Sequence, residues 1–246
     1  MANLYEEKAN IELQRWQRKI EKSGSLSKKY TKIIQNKVNE KIPEKVHEVF
    51  TTSVKNMVHA TLVGAEYTTT TIPVEGATLE EREVRLEQKV KAYKKTAAVE
   101  GAGTGAGGIL LGMVDFPLLL SIKMKFLFEA ASLYGYDVKD YRERLYILYL
   151  FQLAFSSDEK KKEVLKKIKD WEEIKRNLPD KETYLQQIDW KEFQLEYRDH
   201  IDLIKLLQVI PGFGAIVGAF ANYHFLEVLG ETAKNSYRMR VLGGGS

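Results

Sequence analysis

GAGTGAGGILLGMVDFPLLLSI, residues 101–122, is the stretch on which the reading of the fold turns. Asp115 is its only charge, and six of its twenty-two residues are glycine. Each glycine costs about 1 kcal/mol of helix propensity relative to alanine, so an isolated helix here would be poor. The spacing supplies a reason for them. Gly101 and Gly105, Gly103 and Gly107, and Gly108 and Gly112 are each four apart, which strips one helix face of side chains and lets another backbone approach closely. A second stretch, Leu206 to Leu226, has no Asp, Glu, Lys or Arg in twenty-one residues and repeats the spacing at Gly214 and Gly218. Pro211 and Gly212 divide it into a helix end, a turn and a new helix carrying Gly214, Gly218 and Asn222 on one face. The expectation is that the two glycine faces pack together.

Either stretch is long enough to cross a bilayer, for which about 20 apolar residues suffice. Asp115 argues against a simple span, because a mid-helix aspartate costs about 2.5 to 3.5 kcal/mol on insertion scales. The mean hydropathy of the chain, −0.34, points the same way. A buried core pair is the leading reading, followed by partial or reversible insertion and then by a true span.

Outward from these stretches helical periodicity dominates. Leu13, Trp16 and Ile20 form one stripe and Tyr30, Ile33, Ile34, Val38 and Ile42 a second, separated by Ser23-Gly24-Ser25. Pro43 suits the first turn of a third helix, in which Val46, Phe50, Val54, Met57 and Val58 recur and which Gly64 ends. Four threonines and Pro73 within 68–76 read as a loop. Thr78 with Glu81, Ser156 with Glu159 and Asp189 with Glu192 have capping-box spacing. Leu79, Leu86, Val90, Tyr93 and Ala97 follow the first. Leu165, Ile168, Trp171 and Ile174 follow the second, up to Pro179, and Trp190, Phe193, Tyr197 and Ile201 follow the third. No alternating strand pattern appears, so the fold class is all-α, a multi-helix bundle. The division expected is an N-terminal helical region over 1–76, a glycine-rich helical core over 77–242, and GGGS at 243–246, which reads as an expression linker.

Composition narrows the function classes. The chain has no cysteine, which excludes disulfide frameworks, thiolate metal sites and cysteine nucleophiles and suits a reducing compartment. Glu6, Glu7 and Glu12 interrupt any signal-peptide apolar run, so the cytoplasmic side is the expected location. A net charge of +4 is too small to imply a nucleic acid partner. Residues 1–60 carry twelve Lys or Arg against seven acids. That balance would suit an anionic membrane surface, but the charges alternate as on a solvated helix face.

Catalytic motifs are scarce. Gly103, Gly105 and Gly108 fit G-x-G-x-x-G formally, but the fingerprint needs a preceding strand and Lys89 to Glu100 reads as helix. There is no phosphate-binding P-loop, no G-x-S-x-G, and no paired-ligand motif among His47, His59, His200 and His224, so neither a cofactor nor a metal is expected. What remains is polar residues in apolar surroundings. Asp115, Glu129 and His224 are the catalytic candidates. Asp115, Asn222, Glu227, Arg238 and Arg240 are expected to form a buried polar network that fixes helix register, with the arginines answering buried carboxylates.

The stretches GAGTGAGGILLGMVDFP (101–117), Tyr134-Gly135-Tyr136-Asp137, IPGFGAIVGAFANYHFL (210–226) and Tyr237-Arg238-Met239-Arg240 together resemble the EcsC family of bacilli, over about Lys91 to Leu242. The resemblance implies a role as an accessory to an ABC transporter, with the transporter subunits as partners, and supplies no catalytic residues. The expected function is therefore an accessory protein at the cytoplasmic membrane face, engaging transporter, membrane or hydrophobic client through the glycine-spaced helices. A carboxylate-based hydrolase and a carrier of lipid or hydrophobic peptide are the alternatives.

Overall fold

The computed structural model describes residues 4–22, 44–64, 76–104, 116–201 and 218–243. Among these residues the chain forms ten helices: α1 (Leu4–Lys22), α2 (Glu44–Val63), α3 (Leu79–Thr104), α4 (Phe116–Leu133), α5 (Tyr141–Phe155), α6 (Asp158–Lys169), α7 (Trp171–Asn177), α8 (Lys181–Gln187), α9 (Trp190–His200) and α10 (Gly218–Gly243). The extended structure among them is one isolated bridge between Ser156 and Ile201. The all-α class read from the sequence is the class of the molecule.

The hydrophobic stripes explain which faces are inside. In α1, Ala9, Leu13, Trp16 and Ile20 are buried and fall on one side of the helix. In α2 the buried side is Val46, Phe50, Val54, Met57, Val58 and Leu62. Helix α5 is buried nearly all round, as befits a helix at the centre of a bundle. Residues on both sides of Gly76 contribute to one continuous hydrophobic cluster. The stripe Tyr30 to Ile42 and the loop at 68–75 lie outside the described residues.

Capping sets several boundaries. At α3 the box is reciprocal: the Glu81 amide donates to Thr78 Oγ1 at 3.3 Å and the Thr78 amide to Glu81 Oε2 at 2.8 Å. Asp189 accepts from the Glu192 amide at 2.9 Å to open α9. Ser156 does something else. It ends α5, its hydroxyl turned back to the Gln152 carbonyl, and the N-cap of α6 is Ser157. The stripe Leu165 to Ile174 is also two helices rather than one, because the backbone departs from helix at Asp170 (ψ 10°). Helix α4 ends in a Schellman turn, in which the Gly135 amide donates to the Ser132 carbonyl and the Tyr136 amide to the Ala131 carbonyl. Gly135 sits there at φ +89°, where a side chain would be strained.

Helices α3 and α10 make the most extensive pairing. Lys94 meets Glu227, Val90 meets Gly230, Glu87 meets Lys234 and Glu83 meets Arg238, so the two run antiparallel in steps of one helical turn. Gly230 is the close point. A Cβ there would lie 2.7 Å from Val90 Cγ2, and a β-branched side chain has little freedom to turn aside. Gly230→Ala would gain about 1 kcal/mol of helix propensity, yet overpacking costs about 1–3 kcal/mol. We expect a net loss of roughly 1 kcal/mol in chemical denaturation, recovered in the Gly230→Ala/Val90→Ala double variant. A stabilised Gly230→Ala chain would show that the helices have room to separate.

Candidate functional site

At the lower end of the α3–α10 pair two arginines of the final helix enter the protein. Arg238 is buried and grips Glu83 with two hydrogen bonds, Nε to Oε1 at 2.5 Å and Nη2 to Oε2 at 2.6 Å, while its Nη1 reaches Glu12 Oε2 at 2.9 Å. The Tyr5 hydroxyl donates to the same Glu83 carboxylate at 2.7 Å. Burial, and then the bond to Glu83, push the Tyr5 phenol up to about 12. Burial works against the Arg238 charge, and the Glu83 and Glu12 carboxylates more than offset it, holding the guanidinium above its ordinary value.

Arg240 occupies the neighbouring position, two residues along. Its Nη1 donates to Glu143 Oε2 at 2.7 Å and its Nε to Glu172 Oε1 at 3.1 Å. The guanidinium carbon stands 3.6 Å from the centroid of Tyr136 and 4.6 Å from that of Tyr146, a cation–π arrangement inside an aromatic box. Tyr237 stacks on Tyr134 and Tyr136 at 5.0 and 5.2 Å and donates its hydroxyl to Glu143 at 2.9 Å. Burial drives the Glu143 carboxyl above the usual carboxylate range, against the opposing pull of Arg240 and Tyr237. Chemically the two sites are saturated, each buried charge meeting an opposite charge.

Other residues singled out in the sequence lie elsewhere. Glu129 is buried between Tyr93, whose hydroxyl donates to it at 2.9 Å, and Lys89, whose ammonium is 2.8 Å away. His224 is exposed, 70% by side chain, and stands 3.6 Å from Glu227. Glu129 lies level with Lys89 and His224 one turn beyond the Lys94–Glu227 pair, a separation of about 12 Å along α3 by the helical rise. These two of the three catalytic candidates do not converge. Glu227, expected in the buried network, is instead a half-exposed surface group paired with Lys94, because its face of α10 turns to solvent. Burial slightly opposes, and the Lys94 hydrogen bond chiefly causes, a carboxyl held below its ordinary range. Asp115, Gly105, Gly108, Gly112 and Gly214 lie outside the described residues. Gly101 falls in the last turns of α3, and Gly218 and Asn222 in the first turns of α10, where the backbone alone is described. Among the described residues no group of three His, Cys, Asp or Glu could hold a metal ion.

The partners of the arginines, Glu83 and Glu143, escaped the sequence reading. For Glu83 a signal existed: it occupies the stripe Leu79, Leu86, Val90 and Tyr93 at the 4-3-4-3 spacing that faces the core.

The opposite end of the bundle is where the two apolar stretches attach. Helix α4 runs antiparallel to α3, since Tyr93 packs on Phe126, Lys89 on Glu129 and Arg82 on the Tyr134 carbonyl. The end of α3 at Thr104, the start of α4 at Phe116 and the start of α10 at Gly218 therefore each extend about ten residues, about 15 Å, beyond the Lys94–Glu227 level in the same direction. Phe155 packs on Phe225 at 5.1 Å, and Ile201 bridges the adjacent Ser156, so the end of α9 lies near the Phe225 level, about 10 Å short of Gly218 along α10. Leu118, 56% exposed, lies at this end. No helix among the described residues is long and apolar enough to cross a membrane.

An all-helical bundle closed at one end by buried arginine–glutamate pairs, with glycine-rich apolar stretches joined to the other, defines the class. The chain belongs to the EcsC protein family, whose model matches residues 7–242. It is 47% identical over 227 residues to the protein EcsC of Bacillus subtilis (strain 168), covering 92% of each chain. It is also 33% identical over 150 residues to the uncharacterized protein YdbA of the same organism, covering 61% of this chain and 54% of that one. No solved structure matches.

Proposed function

We propose that this chain is a non-catalytic accessory protein at the cytoplasmic membrane face, whose two glycine-spaced stretches act together, at one end of the bundle, on an ABC transporter subunit, the bilayer or a hydrophobic client. The observation that carries the reading is that Thr104, Phe116 and Gly218 all extend toward that end. Continuing the antiparallel register of the Glu83–Lys94 and Glu227–Arg238 turns along both helices would bring Gly103 opposite Gly218. Side chains missing on both sides would let the stretches leave the bundle as a closely packed apolar pair. Transporter association rests on the family resemblance, and the separation of Glu129 and His224 gives the carboxylate-based hydrolase no support from that pair.

Membrane flotation of the full chain tests the proposal. The expected result is a substantial floating fraction from cells that contain the transporter, reduced several-fold by Gly105→Leu/Gly218→Leu while the helical circular dichroism signal is retained. A chain recovered wholly in the soluble fraction, with and without the transporter, would overturn it.

A further inference from the structure

Helix α1 has an outer face that the bundle does not use. Its buried stripe, Ala9, Leu13, Trp16 and Ile20, lies on one side. The opposite side presents Leu4, Lys8, Ile11, Arg15, Arg18 and Lys22, spaced 4-3-4-3-4 along about five turns, which confines them to an arc of roughly 80°. All six are exposed, Leu4 at 81% and Ile11 at 52%. None of the four acids of α1 falls within the arc: Glu12 turns to Arg238 and Glu21 to Lys169 at 2.6 Å, Glu6 lies on another side of the helix, and the exposed Glu7 flanks the arc in the first turn. Helix α6 extends the basic field beside it, because Lys169, and more distantly Lys162 and Arg18, hold the Glu21 carboxyl below its ordinary range. The sequence that follows, 23–43, carries five lysines and the single acid Glu40.

We infer that the outer ridge of α1 is a docking seam for an acidic amphipathic helix of a partner protein, which sets apolar side chains against Leu4 and Ile11 and carboxylates against Lys8, Arg15, Arg18 and Lys22. The spacing is that of a two-helix seam, in which residues alternately three and four apart keep facing a partner helix. Charge complementarity fixes the sign of the partner, since four cations with no acid in the arc repel another basic helix. A bilayer is the poorer fit. An interfacial helix buries a broad apolar face, whereas this ridge offers two apolar side chains. In addition, α1 crosses α10 at Arg238 and Met239, about 30 Å along the helix from Gly218, where the apolar stretches attach. That last point rests on the functional reading above; the spacing and the charge do not.

The test uses the full chain and a labelled helical peptide of about 20 residues, the length that covers the ridge, carrying Leu and Glu at the complementary positions. Fluorescence anisotropy is followed at about 0.1 M salt, where charges within roughly 10 Å still interact. The peptide is expected to bind at least tenfold more tightly than a scrambled peptide of the same composition. Arg15→Glu/Arg18→Glu and, separately, Leu4→Ser/Ile11→Ser should each weaken it tenfold or more without moving the melting temperature, because all four side chains are exposed. A peptide with Lys in place of the two opposing Glu should recover binding to Arg15→Glu/Arg18→Glu. Equal binding of the scrambled peptide, no binding of either, or an Arg15→Glu/Arg18→Glu defect confined to phosphatidylglycerol vesicles would each overturn the inference. Loss of membrane flotation with peptide binding intact would instead remove the proposed function and leave the seam standing.

Discussion

Arg238→Met should destabilise the chain by about 3–5 kcal/mol, since removing one partner strands the other charge inside the protein. The stranded group is Glu83, 1% exposed, which would keep the Tyr5 hydroxyl and a distant Lys234 at 3.8 Å in place of a two-pronged guanidinium. For a chain of this length each kcal/mol moves the melting temperature by about 2–4 °C, so thermal and chemical denaturation would both resolve the effect. Arg238→Met/Glu83→Leu should recover most of the loss, because a buried pair removed together leaves no orphan charge. A single-variant penalty below about 1 kcal/mol, the range of an exposed pair, would mean that water reaches Glu83.

Arg240→Met has a comparable cost, again about 3–5 kcal/mol near neutral pH, with a distinctive dependence on pH. Glu143 is 2% exposed, and burial already holds its carboxyl above the ordinary range in the intact protein. For an acid whose folded value is raised, the contribution to stability is complete below the unfolded value, about 4.3, and is lost as pH rises through the folded value. Without Arg240 that folded value rises further. The variant should therefore approach the wild type in acid and fall away from it as pH increases above about 4.3. Adding Glu143→Gln should flatten the profile, since no carboxyl then remains to ionise. Denaturant midpoints measured across this range would decide it, and a penalty independent of pH would show that Arg240 acts through its contacts with Tyr136 and Tyr146 rather than through charge.

What could be read from the sequence, and what could not, separates along physical lines. The stripes of α1, α2 and α3 were legible because burial of a whole face repeats every three to four residues, and the Thr78–Glu81 box because both partners sit three residues apart. Ser156 misled for the same reason: a serine beside a helix junction can serve the helix behind it or the one ahead, and only the backbone path decides. Arg238 and Arg240 stood out as charges following an apolar helix. Their acids did not, since Glu83 lies in a run of charged residues in which a buried carboxylate looks like its solvated neighbours. Gly230 was overlooked beside the denser glycine stretches, although it marks the close approach that the described residues contain. The arginines expected to answer Asp115 meet Glu83 and Glu143, and the surroundings of Asp115 lie outside the described residues.

The clasp of Glu12 on Arg238 and of Gln17 on Met239 also bears on how the molecule is assembled in the cell. Synthesis delivers α1 well before α10, so that helix emerges from the ribosome long before its main partner. Until α10 is made, the packing of α1 rests on α3 and α6, only part of its seat, and apolar side chains left exposed in that period invite association with other chains. Closure of the domain is thereby tied to the emergence of α10 from the ribosome, and loss of the turns of α10 that carry Arg238 and Met239 would take away the largest single part of the seat of α1.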